Sequence, residues 1–168
     1  NSSRKPSVGE NVAVIGGGNV AIDVARSAVR LGAKHVTVVY RRTEAEMPAD
    51  AEEVAEARAE GVKFKFLAAP VQIEGKDGRA DALKLQLMQL GEPDEGGRRS
   101  SVPTGETEEL AVDCVVAAIG QRVDLGDMLK GTAVRFTKKG TVEVDKITLQ
   151  TDESDIFAGG DIVTGPRF

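Results

Sequence analysis

Three consecutive glycines, Gly16, Gly17 and Gly18, stand between a short apolar run at residues 11–15 and a stretch at 19–31 whose apolar residues recur at helical spacing. That junction constrains the fold more than any other part of the chain. A strand has to turn sharply into a helix there, and residues without a Cβ let the backbone turn while the helix packs closely against the strand. Val20, Ile22, Val24, Ala25, Ala28, Val29 and Leu31 give the helix an apolar face, and Gly32 sits where a left-handed cap would end it. Residues 35–40, rich in branched side chains, read as a second strand. A strand, a helix and a strand in this order make a right-handed parallel crossover.

Pro48 and Gly61 bracket an Ala- and Glu-rich second helix over residues 49–60, and residues 62–67 follow as a third strand. This is the beginning of a doubly wound α/β sheet, whose ligand site lies at the carboxyl edge. From Pro70 to Val112 the helical pattern gives way to three β-type stretches, residues 71–73, 82–90 and 109–112, which predict an antiparallel meander. Residues 91–108 carry glycine, proline and alternating charge and read as a long exposed hairpin loop, with Arg98 and Arg99 as surface charges. The nearly continuous apolar run at 113–119 returns the chain to the parallel sheet. Beyond Gln121, short strands are expected at 141–144, 147–149 and 156–158, with no helix partner.

Composition narrows the function classes. At 168 residues the chain suits one domain with an appendage, and a net charge of -5 offers no broad attraction to nucleic acid or anionic lipid. No apolar run approaches the roughly 20 residues that cross a bilayer, so a cytoplasmic location is expected. The chain lacks an initiator methionine and stops at Gly165-Pro166-Arg167-Phe168, so both ends read as cut from something longer. The single cysteine, Cys114, has apolar neighbours and reads as a core residue. His35, the only histidine, has no carboxylate or cysteine spaced for catalysis or metal ligation, and no metal site is expected. Asp23 reads as structural, with Arg26 as its neighbouring partner.

The residues at the turn carry the chemistry. Gly16-x-Gly18-x-x-Ala21 places small residues where a backbone can approach a pyrophosphate, and Asn19 and Val20 would donate the first free N–H groups of the helix to it. About twenty residues further on, where an NAD site keeps a carboxylate for the ribose, this chain has Arg41 and Arg42. A guanidinium pairs with a 2′-phosphate through parallel charge-assisted hydrogen bonds, and Thr43 offers a hydroxyl beside it. These residues favour NADP(H) over NAD(H); the plain alternative is a pair of solvated arginines at a strand end. No acid, base or nucleophile stands out as catalytic.

With those residues in place, the chain resembles the NADPH-binding domain of the glutamate synthase small (beta) subunit family, flavin enzymes with two dinucleotide-binding domains. The likeness rests on Val14 to Ala21 with Asp23, Ala25 and Arg26, on Tyr40-Arg41-Arg42 with Glu46-Met47-Pro48, and on Leu90-Gly91-Glu92-Pro93. Ala118-Ile119-Gly120-Gln121 and Ile156-Phe157-Ala158-Gly159-Gly160-Asp161 extend it. The resemblance implies a Rossmann-like, three-layer FAD/NAD(P)-binding domain over residues 1–121, and a crossover with part of the FAD domain over 122–168. Ile119, Gly120 and Gln121 would then turn the chain close to the nicotinamide, and Gly160 and Asp161 would meet the ribityl chain of FAD.

Two features of the family are absent from this sequence: the first flavin-binding glycine turn and the cysteines that hold iron-sulfur clusters in many members. The resemblance therefore implies a piece of an enzyme that passes hydride from NADPH to FAD. FAD belongs to the full-length parent only, and the partners are the missing FAD domain of the same polypeptide and an iron-sulfur or large catalytic subunit. A stand-alone NADP(H) sensor is a second reading. A third is a related flavoenzyme serving ferredoxin, dihydropyrimidines, or a hydrogenase or formate dehydrogenase partner.

Overall fold

The computed structural model describes residues 7–94, 96–97, 99–120 and 123–165, which divide into two compact units, Asn1–Gly120 and Gln121–Phe168. In the first unit, β1 (Asn11–Ile15), β2 (His35–Tyr40), β3 (Lys63–Phe66) and β7 (Cys114–Ala117) form a parallel sheet in the order β3-β2-β1-β7. The helices α1 (Asn19–Arg30) and α2 (Ala51–Ala59) link its first three strands. A second sheet, β4 (Ala68–Lys76), β5 (Arg79–Pro93) and β6 (Arg99–Ala111), is antiparallel in sequential order.

The alternation of side chains along β1 builds three layers from these parts. Val12 and Val14 face the helices, where Ala21, Ile22, Ala25, Ala28, Val54 and Ala57 cover them. Ala13 and Ile15 point the other way, onto Ala68, Leu83, Leu85 and Val112 of the meander side. Each fully buried branched side chain contributes about 1.5–3 kcal/mol, so a central strand apolar on both faces fixes both its register and its place between the layers.

Both helices end as their glycines predict. In α1, Gly32 N donates to Val29 O (3.0 Å) and Ala33 N to Ala28 O (3.1 Å); in α2, Gly61 N donates to Arg58 O (3.0 Å) and Val62 N to Ala57 O (3.0 Å). These are paired C-terminal caps, with Gly32 at φ 102° and Gly61 at φ 96°. The Arg26 guanidinium does not pair with Asp23. It crosses to α2, reaching Glu53 (2.6 Å), Glu56 (2.7 Å) and Glu60 (2.8 Å). Glu60 above all, through its hydrogen bond, raises the Arg26 pKa.

Three expectations need correction. Residues 91–93 and 99–108, read as loop, are strand; Arg98, read with Arg99 as a surface charge, lies outside the described residues. Register shifts between Gln86 and Met88 and between Leu90 and Pro93 absorb the irregular residues, and Pro103 sits on the edge strand β6, where a missing N–H is tolerated. In the second unit the expected strands reduce to isolated bridges, Phe136 with Val142 and Gln150 with Phe157, followed by a four-residue helix α3 (Asp161–Thr164). Residues 147–149 instead belong to a turn organised by Asp145, whose Oδ1 accepts from Ile147 N (2.9 Å) and Thr148 N (2.8 Å). Cys114 is partly rather than fully buried, and His35 is exposed at the start of β2.

Candidate functional site

The carboxyl edge of the parallel sheet collects most of the residues singled out from the sequence. β1 runs between β2 and β7; Gly16 N donates to Val39 O (3.1 Å) and Ala118 N to Ile15 O (2.8 Å), so both neighbours converge on the glycine turn. The chain leaves β1 towards β2 on one side and returns through β7 on the other. Ligands of open α/β sheets lie at such a switch point.

The three glycines have three different reasons to be glycine. Gly16 has φ 149°, and a Cβ there would come within 2.2 Å of Ala118 O and 3.3 Å of the Ala21 Cβ. A Cβ on Gly17 would meet the Tyr40 ring at 2.5 Å. Gly18 differs: its φ is -95°, open to any residue, and a Cβ there would meet nothing within 4 Å. The protein's own packing thus accounts for Gly16, Gly17 and the fully buried Ala21, while Gly18 opens onto free space.

Behind that space α1 begins without a side-chain cap and without an acidic residue in its first turn. Among the described residues, Asn19 N and Val20 N have no hydrogen-bond partner, which leaves the positive end of the helix uncovered. The Asn19 side chain is used differently. Its Oδ1 accepts from Asp50 N (2.9 Å), and Ala49 N donates to Gly17 O (3.1 Å), so the loop after β2 is clasped onto the glycine turn.

That loop carries Arg41, Arg42 and Thr43. Arg41 is exposed, whereas Arg42 is 8 % exposed and its buried Nε has no hydrogen-bond partner. Neither arginine forms an ion pair among the described residues. The Thr43 hydroxyl is already engaged: it and Thr43 N (3.1 Å) both donate to Glu46 Oε2, and the short 3-10 turn Glu44–Glu46 is held by this reciprocal box. Thr43 can serve a phosphate only by releasing Glu46. The hydroxyl hydrogen bond holds the Glu46 carboxyl below the usual glutamate range despite partial burial. Tyr40 adds a hydrogen bond from its hydroxyl to Glu46 O (2.8 Å). Sequence reading named Tyr40 and Glu46 only as part of the resemblance and gave them no contact, and it did not foresee the Asn19 clasp, although Thr43-x-x-Glu46 is itself a capping signature.

On the other side of β1, Ile119 is 76 % exposed and Gly120 has φ 91°; Gln121 lies outside the described residues. Gly160 and Asp161 belong to the second unit, where Gly160 (φ 72°) precedes α3 and Asp161 is exposed at its start. An open concavity of about 710 Å³ in that unit, lined by Val142, Leu149 and Val163 among others, contains none of these residues. Among the described residues, no helix is long and apolar enough to cross a membrane.

The model of the family described as pyridine nucleotide-disulphide oxidoreductase matches residues 1–168. The chain is 50 % identical over 169 residues to the NADP(+)-dependent formate dehydrogenase subunit beta of Moorella thermoacetica, covering 99 % of this chain and 24 % of that protein. It is 41 % identical over 162 residues to the glutamate synthase [NADPH] small chain of Escherichia coli, covering 94 % and 34 %. Among solved structures, FprA from Mycobacterium tuberculosis in complex with NADPH superposes with a TM-score of 0.72 at 23 % identity, over 95 % of this chain and 48 % of that one. Thioredoxin reductase from T. acidophilum gives 0.73 at 22 %, over 93 % and 45 %. The chain spans about a quarter to a third of these curated relatives and somewhat under half of these structures. It is similar over most of its length to the glutamate synthase small chains, and it belongs to the pyridine nucleotide-disulphide oxidoreductase family.

Proposed function

We propose that this chain is the NADP(H)-binding part of a larger, cytoplasmic, flavin-dependent oxidoreductase. The observation that carries the reading is the open space over Gly18, with an uncovered helix end behind it and the unpaired guanidinium of Arg42 on the adjoining loop. A pyrophosphate fits the first two, because Asn19 N and Val20 N can donate to it where a Cβ would otherwise stand. A 2′-phosphate fits the third, since a buried arginine without a carboxylate is costly until an anion arrives. Arg41 adds an exposed cation on the same loop, and Ile119 and Gly120 offer the nicotinamide an apolar turn on the β7 side.

The chemistry supplied by the bound nucleotide is hydride donation, with the FAD of the parent as acceptor. This chain's residues bind and orient the donor; none acts as acid, base or nucleophile. Gly160 and Asp161 are assigned to the FAD side of the parent, where the Asp161 carboxylate, which has no hydrogen-bond partner among the described residues, would accept from the ribityl hydroxyls. The rest of the FAD domain lies in the remainder of the parent, together with whatever passes the electrons on to an iron-sulfur or large catalytic subunit. The length of the relatives supports this division.

The test is to purify the 168-residue chain and to follow the near-ultraviolet absorbance of NADPH with and without FAD and an artificial acceptor. The expected outcome is a colourless protein that binds NADPH without oxidising it above the free-flavin background, because donor and acceptor have to be held about 3–3.5 Å apart. A yellow preparation with stoichiometric flavin, or turnover above background, would mean that the chain is a flavoenzyme by itself.

A further inference from the structure

Leu67 stands where the chain leaves one sheet for the other. β3 ends at Phe66, which forms the last pair of its parallel ladder with Tyr40, and β4 starts at Ala68, paired with Leu87 of β5. Between them Leu67 has φ 52°, in the left-handed region that a Cβ disfavours. Among the described residues of the first unit, the other non-glycine with a positive φ is Asp77, in the two-residue turn Asp77-Gly78 that joins β4 to β5. Aspartate is at home in such a turn.

The hydrogen bonds of Leu67 account for its conformation. Its N–H donates to Arg42 O (3.0 Å), on the loop after β2, and its C=O accepts from Met88 N (2.8 Å), on β5. An extended residue turns both groups towards one neighbouring strand. The left-handed backbone points them apart, so that one residue serves both sheets. The peptide unit between Arg42 and Thr43 is thereby held at both ends: Arg42 O by Leu67, and Thr43 N by Glu46 Oε2 (3.1 Å). The Glu46 bond is local, whereas the Leu67 bond comes from another strand. Together they fix the main chain directly after the Arg42 Cα, and with it the direction in which that side chain leaves. Few rotamers are open to a buried guanidinium, so this direction decides where its donors point, the unpartnered Nε among them.

We infer that Leu67 is a positioning residue for the 2′-phosphate subsite: its left-handed backbone holds the Arg42 main chain where the guanidinium meets the phosphate. This rests on the NADP(H) reading above. The conformation at position 67 carries the effect, and the leucine side chain does not.

The experiment titrates 2′,5′-ADP and 5′-AMP, which differ by the 2′-phosphate alone, against the wild-type chain, Leu67→Ile and Leu67→Gly. Isoleucine keeps the bulk, but its β-branch resists the left-handed region, which glycine enters freely. Leu67→Ile should weaken 2′,5′-ADP about three- to tenfold, with 5′-AMP unchanged and a cooperative melt. Leu67→Gly should keep the preference for 2′,5′-ADP within about twofold of wild type. Amide hydrogen exchange on the wild type needs no variant and decides the matter if Leu67→Ile does not fold. At equal saturation, Leu67 N–H should be better protected with 2′,5′-ADP than with 5′-AMP, because the phosphate holds Arg42 in place. The inference falls if Leu67→Ile keeps the wild-type preference or weakens both probes alike. It falls equally if glycine loses as much as isoleucine, or if both probes protect the amide to the same extent. A wild-type chain that does not prefer 2′,5′-ADP to 5′-AMP overturns the NADP(H) reading as well.

Discussion

The Tyr40 ring lies so close to Gly17 that a single Cβ would come within 2.5 Å of its Cδ2 and Cε2 atoms. The end of β2 and the glycine turn are thereby locked face to face, a contact that depends on both residues. Gly18, one residue on, has no such neighbour. The two positions should therefore separate stability from binding. Gly17→Ala should destabilise the fold by about 1–3 kcal/mol through overpacking. Gly18→Ala should change stability by less than about 1 kcal/mol yet abolish measurable NADPH binding, because its Cβ would fill the space read as the pyrophosphate approach. Thermal melts and nucleotide titrations of both variants check this; a Gly18→Ala protein that binds NADPH normally would remove the pyrophosphate from this turn.

Arg42 should trade stability for binding. Its buried Nε lacks a partner in the described protein, so replacing the guanidinium while keeping the aliphatic bulk relieves an unmet desolvation cost. Arg42→Met should raise stability by about 1 kcal/mol, a rise of roughly 2–4 °C in Tm, while weakening NADPH at least about tenfold. A lowered Tm would show that the guanidinium is already satisfied without ligand.

Asp113 should set part of the acid sensitivity. Its carboxylate is pushed up by burial but held below the ordinary aspartate range overall by hydrogen bonds from Asn11 N, Glu10 N and the Asn11 side chain, which pin the start of β1 to the start of β7. A depressed folded-state pKa contributes stability above the unfolded value and loses it as pH falls through the folded one. Asp113→Asn should therefore cost about 1 kcal/mol at neutral pH, the low end for charge-assisted hydrogen bonds since solvent reaches the group. The difference from wild type should shrink below about pH 4. Denaturant unfolding at several pH values measures it, and a difference independent of pH would assign the effect to something other than ionisation.

The parallel sheet and both long helices were legible because local signals agreed with tertiary ones. β1 alternates between two apolar faces, and Gly32 and Gly61 end helices whose apolar faces the sheet then covers. The reach of β5 and β6 was not legible: glycine and proline at 91, 93, 103 and 105 are loop signals locally, and only the register shifts and the edge position of β6 make them compatible with strand. The second unit was misread for a related reason, since its Thr- and Ile-containing runs resemble strands but are organised by side chains such as Asp145. At the site, residue types pointed to the glycine turn and to Arg41 and Arg42. The burial of Arg42 depends on contacts between segments far apart in sequence, such as the bond from Leu67 N to Arg42 O, which no local pattern encodes, whereas the commitment of Thr43 to Glu46 is a local capping box whose signature stands in the sequence.

The most direct test of the NADP(H) assignment is calorimetric titration of the chain with NADPH and with NADH, repeated on Arg41→Ala. Arg41 is exposed and unpaired among the described residues, so its loss should leave the fold intact and act on binding alone. NADPH should bind more tightly than NADH to the wild type, and Arg41→Ala should weaken NADPH by about 1.5–3 kcal/mol, roughly ten- to a hundredfold, with NADH nearly unchanged. Equal affinity for the two nucleotides in the wild type, or an equal loss for both in the variant, would contradict the assignment.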